Sequence, residues 1–180
     1  MRKTKKLTVG AMMIAMGVLF MTLGYFIEAL DLTVAAMLSA VIAFMVIEVG
    51  SPYTYMVWLG TSLLGALLFT GSFVWLTYFL IFGIYPILKY YIEKLPRIAQ
   101  YALKILFFNL ALIALIFLSE LIIGLPFFTV GDKFGEYENI VKAALYIGFN
   151  IAFVLYDICL NVMIRIYYLR FRAKFSRLLK

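Results

Sequence analysis

Few side chains here are equipped for chemistry, and most of those sit inside apolar runs. Glu120 lies about three residues from the end of one such run. Tyr146 and Asn150 lie one helical turn apart in another, and Asp157 and Asn161, four residues apart, share a face further along it. A carboxylate so placed can meet a cationic or hydroxyl-bearing ligand, and an amide can both donate and accept. An intramembrane carboxylate is also what a proton relay requires. The chain has no histidine and a single cysteine, Cys159, which reads as a small packed hydrophobe. These absences remove histidine-based catalysis, histidine metal sites, the usual near-neutral proton switch, cysteine metal clusters and an internal disulfide. There is no nucleophile elbow and no Gly-x-x-x-x-Gly-Lys-Ser/Thr loop to hydrolyse ATP. The expectation is a protein that is not an enzyme and carries no cofactor or metal.

The elements that hold these groups follow from hydropathy. Of 180 residues, 66% are hydrophobic and 14% charged, with a mean hydropathy of +1.06. Soluble domains average about half apolar and a quarter charged, so this chain requires lipid as its solvent. Leu7 to Ile27 is a charge-free run of 21 residues. It is long for a signal peptide core and lacks a clear cleavage site, so it reads as a retained helix. Glu28 to Asp31 forms an acidic turn, and Gly50-Ser51-Pro52 ends a second span. Val49 to Leu88 is uncharged over 40 residues, too long for one helix across a core about 30 Å thick. A break is therefore expected at Thr70-Gly71-Ser72. Lys89 to Arg97 reads as a basic, proline-containing loop, and Gly124 to Asn139 as the longest polar connection. The prediction is an all-α, polytopic six-helix bundle in one membrane domain. Its spans lie near 7–27, 32–50, 53–69, 73–91, 98–123 and 140–165.

Fourteen of the sixteen Lys and Arg fall on one side of this arrangement: the leader, Lys89 to Lys104, and the tail from Arg165. Only Lys133 and Lys142 fall on the other. The positive-inside rule then puts both termini in the cytoplasm. The net charge of +7 thus reflects membrane topology and a tail attracted to anionic lipid, not nucleic-acid binding.

The first helix carries two small-residue faces. Thr4, Thr8, Ala11, Ala15 and Thr22 share a sector of roughly 60°, and Gly10, Gly17 and Gly24 lie over about 100° away. Small residues let membrane helices approach closely. Either both faces pack inside the bundle, or the glycine face does so and the Thr8/Ala11/Ala15 face meets a second protein.

A basic leader, a first helix with Ala-x-x-x-Ala at Ala11 and Ala15, and five further helices within 180 residues resemble the substrate-binding (S) components of energy-coupling factor transporters. The resemblance covers the whole chain in layout. The segments Ile47-Glu48-Val49-Gly50 and Phe82-Gly83-Ile84-Tyr85-Pro86-Ile87-Leu88-Lys89 also resemble uncharacterised bacterial membrane proteins of that fold. The resemblance implies a plasma-membrane importer subunit in a bacterium. Its alanine motif would face a coupling transmembrane subunit, and two ATPase subunits would supply energy. Substrate would bind near the outer surface, beneath the loop between helices one and two and among the later helices.

The candidate substrate-binding residues are Glu28, Asp31, Trp75, Tyr78, Glu120, Tyr146 and Asn150. Each has an alternative role. Glu28 and Asp31 can simply face water. Trp75 and Tyr78 can belong to an interfacial aromatic belt. Glu120 can lie at the interface or bond within the bundle, and Asn150 can bond to Asn109 or to backbone. Asp157 can reach Arg165 only through long side chains, or else pairs with a neighbouring helix; a structural or coupling role is expected for it. The outer side has Glu28, Asp31, Glu120, Asp132, Glu136 and Glu138 against Lys133 and Lys142, with no arginine to clamp a phosphate or carboxylate. A small neutral or cationic nutrient is therefore expected. The alternative is a membrane scaffold of the same fold that transports nothing, a partner of cell-envelope or cell-shape proteins. A self-sufficient secondary transporter is disfavoured, because no inverted repeat is visible.

Overall fold

A computed structural model describes residues 3–27, 30–124 and 138–172. These residues form helices α1 (Lys3–Phe26), α2 (Asp31–Glu48), α3 (Ser51–Leu68), α4 (Phe73–Thr77), α5 (Tyr85–Ile92), α6 (Arg97–Leu118) and α7 (Glu138–Ile166). A π-helical turn, Tyr78–Phe82, joins α4 to α5, so these two form one interrupted rod and the described protein is six all-helical rods. Further π-helical turns, Ser119–Ile123 and Tyr167–Phe171, extend α6 and α7.

Five rods are long and apolar enough to cross a membrane: Lys3–Phe26, Asp31–Glu48, Phe73–Ile92, Arg97–Ile122 and Asn139–Arg170. The remaining rod, α3, matches α2 in length at 18 residues, but Thr54, Thr61, Ser62 and Gly65 occupy its buried face and dilute its hydropathy. Leu19, Leu67, Ile113, Ile151 and many other large apolar side chains point outward on several helices. Such a surface is stable only against hydrocarbon or another protein.

The breaks follow local chemistry. Gly50 and Gly71 adopt φ of 94° and 91°, which a residue with a Cβ resists. Pro52 then opens α3, where its missing N–H costs nothing. Pro86 likewise sits in the first turn of α5 and cannot donate to the turn before it, so the rod is interrupted there. The Gly83 N–H instead reaches back to the Tyr78 carbonyl at 2.7 Å, and the Trp58 indole donates to the Phe79 carbonyl at 3.3 Å. A side chain at Gly83 would lie 2.5 Å from the Trp58 ring, so glycine is required for the indole to come in.

The centre of the bundle is α2, which packs against α1, α3, α4, α5 and α7. Its small residues Ala35, Ser39 and Ala43 are buried and let those neighbours approach. On α1 the two faces separate. Gly10, Gly17 and Gly24 are buried; a Cβ at Gly17 would fall 2.7 Å from Thr61 Cγ2, and one at Gly24 2.9 Å from Val74 Cγ2. Thr8, Ala11 and Ala15 are exposed. The Thr8 hydroxyl donates to the Thr4 carbonyl of its own helix at 3.1 Å.

Both ends of the described chain lie at one end of the bundle. Lys6 Nζ donates to the Val49 carbonyl at 3.1 Å, and the Tyr167 hydroxyl donates to Glu48 Oε1 at 2.9 Å. Two expectations are corrected here. Lys89 is not in a loop: α5 runs to Ile92 and buries it, because Pro86 starts a helix there. Cys159 is exposed on α7, not packed, because α7 turns that face away from the bundle.

Replacing Gly17 with Val is expected to overpack the α1–α3 contact and destabilise the protein by about 1–3 kcal/mol. Ala15→Val is expected to leave stability unchanged. Thermal unfolding of both variants in detergent checks the two-faced reading of α1.

Candidate functional site

The membrane-depth polar residues gather along one seam, where α7 meets α5 and α6. Tyr146, Asn150, Phe153, Asp157, Leu160, Ile164 and Tyr167 alternate at four- and three-residue steps, which places them on one stripe of a helix. Phe153 and Leu160 on this stripe are buried, whereas most of the rest of α7 is exposed.

Toward the end of the bundle that holds the termini, the stripe carries Asp157. Its Oδ1 accepts hydrogen bonds from the Tyr85 hydroxyl at 2.6 Å and from Lys89 Nζ. Its Oδ2 accepts one from Lys104 Nζ at 2.8 Å. Lys89 also pairs with Glu93 at 2.8 Å, and Lys104 lies 3.7 Å from the same carboxylate. Lys89 and Lys104 are only 1% and 7% exposed. Two ammonium groups thus face two carboxylates with no net charge, the condition under which buried ions are tolerated. The Glu93 side chain, 41% exposed, connects the cluster to the surface.

Asp157 therefore pairs with neighbouring helices and not with Arg165. Lys89 and Lys104, read from sequence as topology charges, are cluster members. Two signals were available: the i,i+4 spacing of Lys89 and Glu93, and the position of Lys104 inside an apolar run.

Above the cluster, Phe153 stacks on Phe108 with ring centres 4.3 Å apart. Beyond that pair lies an amide network. Asn109 Nδ2 donates to Asn150 Oδ1 at 3.2 Å and to the Ile105 carbonyl at 2.8 Å. Asn150 Nδ2 donates to Asn109 Oδ1 at 3.4 Å and to the Tyr146 carbonyl at 3.0 Å. The Tyr146 hydroxyl donates to Asn109 Oδ1. The network lines a cleft of about 560 Å³ between α6 and α7.

Phe153 also borders a second space, a cavity of about 170 Å³ among α2, the α4–α5 rod, α6 and α7. Its lining includes Leu32, Ile81, Phe82, Leu112, Leu115 and Phe149. Its polar edge is Thr77, which donates to the Phe73 carbonyl at 2.8 Å, and Tyr156, whose hydroxyl lies beside Ser39.

The sequence-predicted binding residues do not converge. Tyr146 and Asn150 share the cleft. Trp75 and Tyr78 are buried but border neither the cleft nor the cavity: Trp75 packs on Gly65 of α3, and the Tyr78 hydroxyl lies beside Thr61. They are core residues and not a belt at the interface. Asp31 begins α2 instead of lying in a turn. Glu120 is exposed in the π-helical turn after α6. Glu28, Asp132, Lys133 and Glu136 lie outside the described residues. Among the described residues no group of His, Cys, Asp or Glu is arranged to hold a metal ion.

Comparison with known proteins finds no matching family model, no matching curated protein and no matching solved structure.

Asp157→Leu leaves two buried ammonium groups sharing the single carboxylate of Glu93, one positive charge in excess, and is expected to cost about 3–5 kcal/mol. Removing Lys89 as well, in Lys89→Met/Asp157→Leu, leaves Lys104 facing Glu93 and is expected to recover a large part of that loss. Chemical or thermal unfolding of the single and double variants measures the coupling.

Proposed function

We propose that this chain is the membrane-embedded substrate-capture subunit of an energy-coupling factor type importer, docked through α1 onto a coupling subunit that two ATPases energise. The observation that carries the reading is the division of α1. Its glycine face is filled by α2, α3 and α4, while Thr8, Ala11 and Ala15 form a small-residue strip that, among the described residues, has no helix against it. In lipid, such a strip favours close helix contact through packing and not through the hydrophobic effect. The partly open cavity beside Phe153 supports capture. Its lining suits a small, neutral, largely apolar or aromatic solute, in keeping with the scarcity of cationic groups expected on the outer side.

A second reading is a scaffold that docks onto other membrane proteins and transports nothing. The cavity size favours it, since about 170 Å³ lies below the roughly 300–1,000 Å³ of ordinary ligand pockets. Affinity purification from native membranes separates the two. A coupling protein and ATPases are expected to co-purify, and Ala11→Trp/Ala15→Trp is expected to abolish that recovery while the isolated variant stays folded. Recovery of cell-envelope machinery alone would favour the scaffold.

The orientation we propose puts both termini in the cytoplasm. Lys89 and Lys104 are neutralised within the cluster, yet the leader, Lys94, Arg97 and the tail keep the positive bias on the termini's side. A carboxyl-terminal fluorescent-protein fusion is expected to fluoresce and an alkaline phosphatase fusion to be inactive. The opposite pattern reverses the topology.

A further inference from the structure

The cleft between α6 and α7 faces outward along walls formed by Ile105, Ile147, Ile151 and Val154, all largely exposed. Its floor is polar. Asn109 stands twelve residues into α6, which begins at Arg97, about 18 Å along the axis and so near the middle of a core about 30 Å thick. Polar groups at that depth must find partners, because hydrocarbon supplies none.

The hydrogen-bond count of the floor is uneven. Both hydrogens of Asn109 Nδ2 are used, by Ile105 and Asn150. Both of Asn150 Nδ2 are used, by Tyr146 and Asn109. The Tyr146 hydrogen goes to Asn109 Oδ1, which thereby receives two bonds. What remains open is acceptor capacity: one lone pair on Asn150 Oδ1 and the phenolic oxygen of Tyr146. Among the described residues no charged side chain lines the cleft, and Asp157 further along α7 is committed to Lys89, Lys104 and Tyr85.

We propose that this cleft binds a neutral, bilayer-dissolved amphiphile through a hydroxyl that donates its one hydrogen to an open acceptor of the floor, Asn150 Oδ1 or the Tyr146 oxygen. A carboxylate or phosphate brings only acceptors and a charge, and meets no donor here. A cation meets no counter-charge at a depth where unpaired charge is costly. The volume of about 560 Å³ falls in the range of small-molecule sites. The site is separate from the smaller cavity, with Phe153 lining both, and stands whether or not the chain transports a solute.

The test uses the full chain in nanodiscs with a diazirine-bearing long-chain alcohol and the methyl ether of the same chain, which keeps the oxygen but loses the donor. The alcohol is expected to label the Ile105–Asn109 and Tyr146–Leu155 segments saturably, at about tenfold lower concentration than the ether. Ile147→Trp, a change on a lipid-facing wall, is expected to fill the cleft and abolish that labelling. Equal labelling by alcohol and ether, labelling that does not saturate, or labelling untouched by Ile147→Trp would overturn the proposal. So would altered self-association of Ile147→Trp without saturable alcohol labelling, which would make a second copy of the chain the occupant.

Discussion

A charge in hydrocarbon must find its counter-charge within the protein, and Asp157 does so by drawing on two other rods at once. Tyr85 and Lys89 come from α5 and Lys104 from α6. That arrangement fixes the rotation and the height of α7 together. A turn of one residue, about 100°, would carry the carboxylate toward lipid and leave two ammonium groups with only Glu93 to share. The constraint matters because α7 has little else to hold it: outside its stripe most of its residues are exposed, whereas α2 buries residues along its whole length. Once Asp157 is set, Phe153 meets Phe108 and Tyr85, and Tyr167 meets Glu48.

The other half of the bundle is held by shape. Lipid provides little drive for one apolar helix to seek another, so contact depends on how closely backbones can approach. The glycines of α1 and the alanines and serine of α2 supply that approach. Bulk enters where a gap is deliberately opened: the π-helical turn before Pro86 frees the Phe79 carbonyl, and Trp58 both bonds to it and stacks on the Phe79 ring at 5.4 Å. The tightly packed α1–α2–α3 region and the ion-held α7 thus obey different rules within one molecule.

These rules leave α6 and α7 as the shared walls of both open spaces. The cavity and the cleft meet at Phe153, one turn from Asp157 on the same stripe. α6 borders the same three features, with Asn109 in the cleft, Leu112 in the cavity and Lys104 in the ion cluster, so the α6–α7 pair carries all of them.

Hydropathy, glycine and proline alone determined the number of rods, their limits to within a few residues, and the breaks at Gly50 and Gly71, because those depend on local backbone chemistry and on length against bilayer thickness. The helical wheel of α1 also separated two faces correctly in angle. It could not say which face would be filled, nor that Lys89 and Lys104 belong with Asp157 and not with the solvated charges of the termini's side. Nor could it separate Trp75 and Tyr78, which became core, from Tyr146 and Asn150, which border a cleft. Those outcomes depend on contacts between residues such as Lys89 and Asp157, 68 positions apart. Each helix offers polar and small residues on its own faces, but only packing decides which face of one helix meets which face of another. In a low-dielectric solvent that meeting is chosen by the pairing of charges and amides that no single helix can satisfy by itself.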